Sequence, residues 1–346
     1  MRTTLQCQLF NDSIEERERC YLEECFISKR ALDDSTLYQV TALYAAIMAV
    51  GIIGNLGTCI VIRRHPLLNT HSSVYLLNLA VSDLVTLCVG LPFEIFMNWN
   101  QYPWPFPDFF CNLKALIAET TSSVSILTIL LFSIERYIAI CHPFCFVKIK
   151  PFRKHVWLPL LATWVISIAC AVPFARHHTA DLTIQTWPYT KDGPPVCGER
   201  IYSSKMCMLV VTASEDIYFE LKMIFHFSAI AFFLLPLSII LILYMLIACT
   251  MKTRQHSIVF SRADSMVSED KQLRVTVILT AVVIAFFVCY LPFQIQRLSF
   301  FYVEDISILN QYVYFISGFL FYLATVVNPI LYNLVSSRFR KASKEV

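Results

Sequence analysis

Seven apolar stretches, each long enough to cross a bilayer, leave this chain of 346 residues few ways to fold. They lie at roughly 38–62, 73–98, 110–141, 155–174, 221–250, 272–301 and 308–334. A membrane-spanning helix needs about 20 apolar residues, and only elements that satisfy their own backbone hydrogen bonds survive in hydrocarbon. The pattern predicts an all-α membrane protein, a seven-transmembrane helix bundle. Composition agrees, because 57% hydrophobic and 15% charged residues is a balance that a soluble domain does not carry. Residues 1–37 read as a tail, 38–334 as the bundle, and 335–346 as a short amphipathic helix 8 with its C-terminal tail. That last element is expected to lie along the membrane surface among its lipids, through Ser336-Ser337-Arg338-Phe339-Arg340-Lys341.

Basic residues set the expected orientation. Arg63, Arg64 and His65 follow the first window, Lys148, Lys150, Arg153 and Lys154 precede the fourth, Lys252 and Arg254 follow the fifth, and Arg338, Arg340 and Lys341 follow the seventh. All four clusters fall on one side, which the positive-inside rule makes cytoplasmic. The N-terminal tail carries Asp12, Glu15, Glu16, Glu18, Glu23, Glu24, Asp33 and Asp34 against five Lys and Arg, and is expected outside the cell. It has no apolar h-region, so the first window is expected to serve as the targeting signal in a multi-pass plasma-membrane protein. The net charge of +3 follows from the cytoplasmic bases and gives no reason to expect nucleic acid. Asn11-Asp12-Ser13 is a glycosylation sequon in the outer tail.

The outer side holds Cys7, Cys20, Cys25, Cys111, Cys197 and Cys207, where oxidising conditions permit disulfides. Cys59, Cys88, Cys170, Cys249 and Cys289 sit in apolar windows and are expected to behave as small buried hydrophobes. Besides Glu135 near the inner boundary, three acids interrupt the apolar windows, and intramembrane acids mark function by default. Asp83 stands in the middle of the second window. Glu94 follows eleven residues later, roughly 16 Å further out. Glu119 lies eight residues beyond Cys111, roughly 12 Å in from the outer boundary. Glu94 and Glu119 are expected to converge on one outer cavity, as ligand groups or as partners of internal bases such as Lys114 and Arg297. The third window closes on Glu135-Arg136-Tyr137, which places a charged triplet at the inner boundary.

These motifs, read together, carry a resemblance. Gly54-Asn55, Asn78 to Asp83, Glu135-Arg136-Tyr137, Trp164, Pro236, Pro292 and Asn328-Pro329-Ile330-Leu331-Tyr332 occur in the order and spacing of the rhodopsin-like (class A) G-protein-coupled receptors. Within that superfamily, Leu91-Pro92-Phe93-Glu94, Gln101-Tyr102-Pro103-Trp104, Cys111 with Lys114, Glu119 and Thr120, and Asn328 to Arg340 are similar to the neuromedin U and pyrokinin receptors. Ghrelin, motilin, neurotensin and thyrotropin-releasing-hormone receptors share parts of these stretches.

The resemblance implies a disulfide between Cys111 and Cys197, with Cys7, Cys20, Cys25 and Cys207 left open. It implies that Glu94 and Glu119 receive an arginine near the amidated end of a peptide, with Arg297, Phe293, Tyr314 and Phe315 nearby. Phe300, Phe301, Tyr312 and Phe319 would add aromatic walls, and Trp104 would pack the first outer loop. Arg136 is implied to pair with Glu135 and then swing toward Tyr244 and Tyr332 when the sixth helix moves. Phe286, Tyr290 and Pro292 form the rotamer switch, with Tyr290 where the family usually has Trp. Gln272 stands where the family often places an acid, so a bridge from Arg136 to the sixth helix is not expected. Asp83 with Ser125, Asn55 and Asn328 implies either an allosteric sodium ion or a protonated, hydrogen-bonded carboxyl. No other cofactor is expected. The implied partners are an extracellular peptide, a heterotrimeric G protein of the Gq kind acting through phospholipase C, arrestin and receptor kinases.

Other functions fit less well. A retinal pigment needs a lysine in the seventh window, where Tyr322 stands at the relevant place and no lysine occurs. Inverted repeats or half-helices of a transporter or channel are not evident. His177-His178 lacks the spacing of a metal-dependent hydrolase and reads as a surface pair. An amine receptor would want an acid where Ala118 stands. A peptide receptor is the expectation, and an enzyme is not.

Overall fold

The computed structural model describes residues 30, 32–68, 71–148, 155–182, 205–209, 215–257, 263–299, 301–302, 308–335 and 337–345. The expected positions Asn11, Cys7, Cys20, Cys25, Cys197 and Phe300 lie outside them. Gln272, Tyr312 and Tyr332 are described as helical backbone only. The helices are α1 (Asp34–Arg64), α2 (His71–Val85, a wider π turn Thr86–Gly90, then Leu91–Trp99), α3 (Asp108–Cys141), α4 (Pro143–Lys148) and α5 (Trp157–Arg176). They continue as α6 (Glu215–Ala229, a π turn Ile230–Leu234, then Leu235–Ser257), α7 (Ala263–Ser299), α8 (Ile308–Val335) and α9 (Ser337–Glu345). Seven of these are long and apolar enough to span a membrane, which matches the seven windows.

Asp33 starts α1 as an N-cap, its Oδ2 accepting the Thr36 N–H at 3.0 Å. The Thr36 side chain first, and then this backbone bond, hold the Asp33 carboxyl below its ordinary range. The large apolar side chains that point outward, Ile53, Val165 and Met245 among them, meet lipid, so outward exposure costs nothing. Polar side chains turn inward and satisfy one another instead. Asn55 Nδ2 donates to the Gly51 and Thr325 carbonyls at 2.9 Å each. Trp164 Nε1 donates to Asn78 Oδ1 at 2.9 Å, and Asn78 Nδ2 donates to Thr128 Oγ1 at 2.8 Å, tying α5 to α2 and α3. Gly54 lets α8 approach α1 closely, since a Cβ there would stand 2.9 Å from Pro329. On α9, Phe339 and Ala342 are buried against the bundle.

One end of the bundle is roofed by a two-stranded antiparallel hairpin, β1 (His178–Leu182) and β2 (Lys205–Leu209), with Ala180 opposite Cys207. We call this the hairpin end, and the opposite one the Arg136 end. The hairpin corrects the expected disulfide: Cys111 is bonded to Cys207, not to Cys197. The β-pairing places Cys207 at the middle of its strand, directly over the first turn of α3, with a Cα–Cα distance of 5.6 Å that suits a disulfide. Three contacts fix the strand there. Trp104 N–H donates to the Lys205 carbonyl at 2.7 Å, Lys205 Nζ reaches Asp108 at 2.8 Å, and Asn112 Nδ2 donates to the His178 carbonyl at 2.6 Å.

Trp104 is buried among Phe93, Phe96 and Phe106, so it packs the loop, as the resemblance implied. The cysteines in the apolar windows divide. Cys289 is buried, Cys59 and Cys170 are half-buried, and Cys88 and Cys249 face outward, because lipid accepts a thiol as readily as the core does. Peptide mapping of the purified protein should recover a Cys111–Cys207 linked pair, and Cys207→Ser should destabilise the fold far more than Cys197→Ser. For a loop of 96 residues the chain-entropy model puts the loss at about 4–5 kcal/mol. Recovery of a Cys111–Cys197 peptide would contradict the assignment.

Candidate ligand-binding site and switch

The π turn in α2 rotates its outer half by roughly a quarter turn relative to an uninterrupted α-helix. Beyond it, Glu94 is buried between α3 and α8. Lys114 Nζ stands 2.9 Å from Glu94 Oε2, and the Tyr314 hydroxyl donates to Oε1 at 3.0 Å. Lys114 also touches Met97 Sδ at 3.0 Å. Phe315 meets Tyr314 edge to face with centroids 5.5 Å apart.

Glu119 is buried one layer deeper. Arg297 on α7 donates from Nη1 to Glu119 Oε1 at 2.5 Å, and the Ser228 hydroxyl donates to Oε2 at 3.2 Å. Three rings surround the Arg297 guanidinium: Phe225 at 4.5 Å, Phe174 at 4.8 Å and Phe293 at 5.3 Å. A guanidinium over aromatic faces is held by the ring quadrupole as well as by its carboxylate. Its Nε and Nη2 meet no acceptor among the described residues. A buried donor without a partner is costly, so this guanidinium can receive ligand oxygens without first giving up a bond at those two atoms.

The structure thus brings Glu94, Glu119, Arg297, Phe293, Tyr314 and Phe315 to one end of the bundle, with each acid holding an internal base. Phe174, Phe225 and Ser228 were not singled out from the sequence, because isolated aromatics and serines in apolar helices carry no signal of their own. The histidine pair is corrected as well. His178 is not a surface residue. It packs on Phe174 with centroids 4.5 Å apart, and its Nδ1 lies 3.2 Å from the Phe174 carbonyl.

Toward the middle, Asn328 Nδ2 donates to Asp83 Oδ2 at 2.9 Å. The Ser125 hydroxyl bonds Ser82 at 2.9 Å, and Thr86 bonds Thr121 at 2.7 Å. Asn328 Oδ1 is a buried acceptor without a partner among the described residues. On the hairpin-end side of Asp83, Tyr290 stacks on Phe286 at 5.3 Å and 8° and meets Phe321 edge-on at 5.5 Å. Pro292 lies inside α7 and Pro329 inside α8. At the Arg136 end, Arg136 Nη2 pairs with Glu135 at 2.9 Å and its guanidinium lies over Phe132 at 5.3 Å. The Tyr137 hydroxyl reaches His142 Nε2 at 3.1 Å. Tyr244 is buried beside Ser133 and Arg136. Arg136 is therefore paired with Glu135, as the resemblance implied.

Burial pushes the His178 imidazole from 6.5 down to about 4, helped by the positive charges of Lys114, Arg297 and His177 and opposed by the Phe174 carbonyl. The folded state then binds fewer protons than the unfolded chain between those values, so stability present above pH 6.5 is lost as pH falls toward 4. Thermal melting of the purified protein should show a drop in Tm across that window, and His178→Phe should flatten it. An unchanged pH profile in His178→Phe would contradict this burial.

The comparisons with known proteins agree with this geometry. A family model described as 7 transmembrane receptor (rhodopsin family) matches residues 54–332. Neuromedin-U receptor 2 of Mus musculus is 34% identical over 311 residues, covering 89% of this chain and 74% of the relative. Pyrokinin-1 receptor of Drosophila melanogaster is 31% identical over 365 residues, with 89% and 79% covered. Neuromedin-U receptor 1 of Homo sapiens is 32% identical over 325 residues, with 88% and 72% covered. The seven spans, the paired Glu135-Arg136, and these matches over most of the chain show that it belongs to the rhodopsin family of G-protein-coupled receptors, a signalling membrane protein among the neuromedin U and pyrokinin receptor relatives and not an enzyme.

Proposed function

We propose that this receptor recognises an amidated peptide of the neuromedin U or pyrokinin kind through an arginine near its C-terminus. The observation that carries the reading is the pair of buried acids, Glu94 and Glu119, at one end of the bundle, each held by an internal base. The relatives named for neuromedin U and pyrokinin support it. In this mechanism the ligand guanidinium exchanges into the carboxylates as a bidentate donor, a geometry that the single ammonium of Lys114 reproduces poorly. The oxygens of the peptide's amidated end satisfy Arg297 Nε and Nη2. Displacing Arg297 from Glu119 frees α7 to move relative to α3. That motion releases Arg136 from Glu135 toward Tyr244 and Tyr332 and opens the Arg136 end to a G protein, an equilibrium shifted by differential ligand affinity.

The hairpin end faces the cell exterior in this reading, with the N-terminal tail outside. The Cys111–Cys207 bridge, which needs an oxidising compartment, and the basic clusters at the Arg136 end support that orientation. Signalling runs through Gq and calcium release, with arrestin and receptor kinases ending it, and α9 rests on the inner membrane surface. Asp83, Asn328 Oδ1 and Ser125 would hold a sodium ion, whose charge would stabilise the inactive state. The fit rests on a carboxylate beside an acceptor that has no donor of its own.

Intracellular calcium in cells expressing the chain, challenged with amidated peptides ending in Arg-X-amide beside ghrelin-like and neurotensin-like peptides, tests the ligand. The first group should act potently, and Glu119→Gln and Glu94→Gln that still reach the surface should each weaken potency by about 30-fold or more, the cost of truncating a buried charged contact. A response only to the other peptides would sink the ligand assignment. Radioligand affinity should fall as sodium rises in the wild type and not in Asp83→Asn; equal sodium sensitivity in both would remove the ion.

A further inference from the structure

Three successive turns of α6 grip the end of α7. The chain leaves α7 through two tight turns, with the Phe301 N–H donating to the Leu298 carbonyl and the Tyr302 N–H to the Ser299 carbonyl at 3.0 Å each, so Phe301 and Tyr302 move with the helix. Tyr218, Lys222 and His226 stand four residues apart on α6 and therefore share one face of it. The Tyr218 hydroxyl donates to the Phe301 carbonyl at 3.3 Å. The Lys222 ammonium lies over the Tyr302 ring at 4.6 Å. His226 Nδ1 donates to the Lys222 carbonyl at 2.6 Å, which leaves Nε2 to accept the Tyr302 hydroxyl at 2.7 Å. Phe301 itself is buried, edge-on against Tyr218 and Phe225 with centroids 5.5 and 5.1 Å apart. Nearer the middle of the same seam the contact changes character, because Phe233 stacked on Phe287 at 6.1 Å and 8° can slide without giving up a hydrogen bond.

We propose that Tyr218, Lys222 and His226 are positioning residues, a clasp that makes the Phe301–Tyr302 end of α7 the fulcrum on which α7 swings when Arg297 leaves Glu119. This extends the proposed release of that ion pair and is independent of which ligand drives it. A hydrogen bond, a cation over a ring and a buried ring resist translation at one point yet leave rotation about it free. Leverage follows from the spacing along α7. Arg297 is four residues from Phe301, about 6 Å along the helix, whereas Gln272 is twenty-nine residues away, about 43 Å. With the near end pinned, a shift of about 1 Å at Arg297 becomes about 7 Å at residue 272 for a rigid rod. Pro292, which interrupts the hydrogen bonding of α7, absorbs part of that swing. With the near end free, the same shift appears as a translation of the whole helix, about 1 Å at both ends.

Pulsed electron-spin distances on the full chain in lipid nanodiscs test the fulcrum, with the labels carried by a clickable noncanonical amino acid so that the native cysteines stay untouched. One pair replaces Phe219 and Ile295, which are 65% and 54% exposed, and reports the hairpin end. The other replaces Met245, 60% exposed, and Gln272, and reports the Arg136 end. Arg297→Gln supplies the release without a ligand. With the clasp intact, this change should widen the Arg136-end distance by about 5 Å and alter the hairpin-end distance by no more than about 2 Å. With the clasp removed by Tyr218→Phe, Lys222→Met and His226→Leu, the Arg136-end widening should fall below about 2 Å and the hairpin-end distribution should broaden. His226→Gln in place of His226→Leu, whose amide reaches the Tyr302 hydroxyl, should restore part of the swing. Equal widening at the Arg136 end with and without the clasp would overturn the fulcrum and leave the release step standing. No widening in Arg297→Gln with the clasp intact would overturn both, and the peptide assignment is judged separately by the calcium assay. If Arg297→Gln does not fold, the clasp variants in the otherwise native chain decide, because they should broaden the hairpin-end distribution about twofold. An unchanged hairpin-end distribution there would overturn the fulcrum.

Discussion

A bilayer offers no hydrogen-bond partner, so every polar group carried into this bundle has to find one inside it, and that constraint orders the whole molecule. Asn55, Asn78, Asp83 and Asn328 stitch α1, α2, α3, α5 and α8 together through side-chain and carbonyl bonds between 2.8 and 2.9 Å. The acids at the hairpin end obey the same rule with bases as partners. Glu119 and Arg297 close the gap between α3 and α7, and Glu94 with Lys114 and Tyr314 joins α2, α3 and α8. In the proposed mechanism a ligand entering there exchanges with these internal bases, and its binding energy appears as motion between helices.

The Arg136 end repeats the arrangement with a weaker hold. Arg136 pairs with its own sequence neighbour, Glu135, and rests on Phe132, so its ion pair and its ring contact both lie within α3. Between the two ends, Tyr290 stacked on Phe286 and set against Phe321 links α7 to α8 through apolar contact. Rings packed in this way shift between discrete arrangements more readily than they deform. In the proposed mechanism a change in the Glu119–Arg297 distance is transmitted along α7 to the Arg136 end.

Hydropathy alone was enough to place all seven spans, since a run of about 20 apolar residues has one stable solution in lipid. The in-order motifs from Gly54 to Tyr332 were enough to identify the family. What sequence could not place was anything that depends on how a loop folds back. Cys197 and Cys207 are ten residues apart in one loop, and only the register of β1 against β2 brings Cys207 over α3. His178 reads as a surface residue until the hairpin presses it onto Phe174. Cys88 and Cys249 show the other limit, because an apolar window does not say which of its faces meets lipid. The two acids were legible as a site, and Lys114 and Arg297 as their candidate partners. The aromatic enclosure of Arg297 was not, because Phe174, Phe225 and Phe293 come from three different helices.

The account depends most on Glu119 and Arg297 forming a buried ion pair in the unliganded receptor. A double-mutant cycle on melting of the purified receptor, with Glu119→Gln, Arg297→Gln and the double variant, measures that pair directly. Each single change should cost about 3–5 kcal/mol by leaving its partner's charge buried alone, and the double variant should cost clearly less than the sum. Additive losses would mean that the two side chains do not hold each other, and would contradict the exchange on which the ligand mechanism rests.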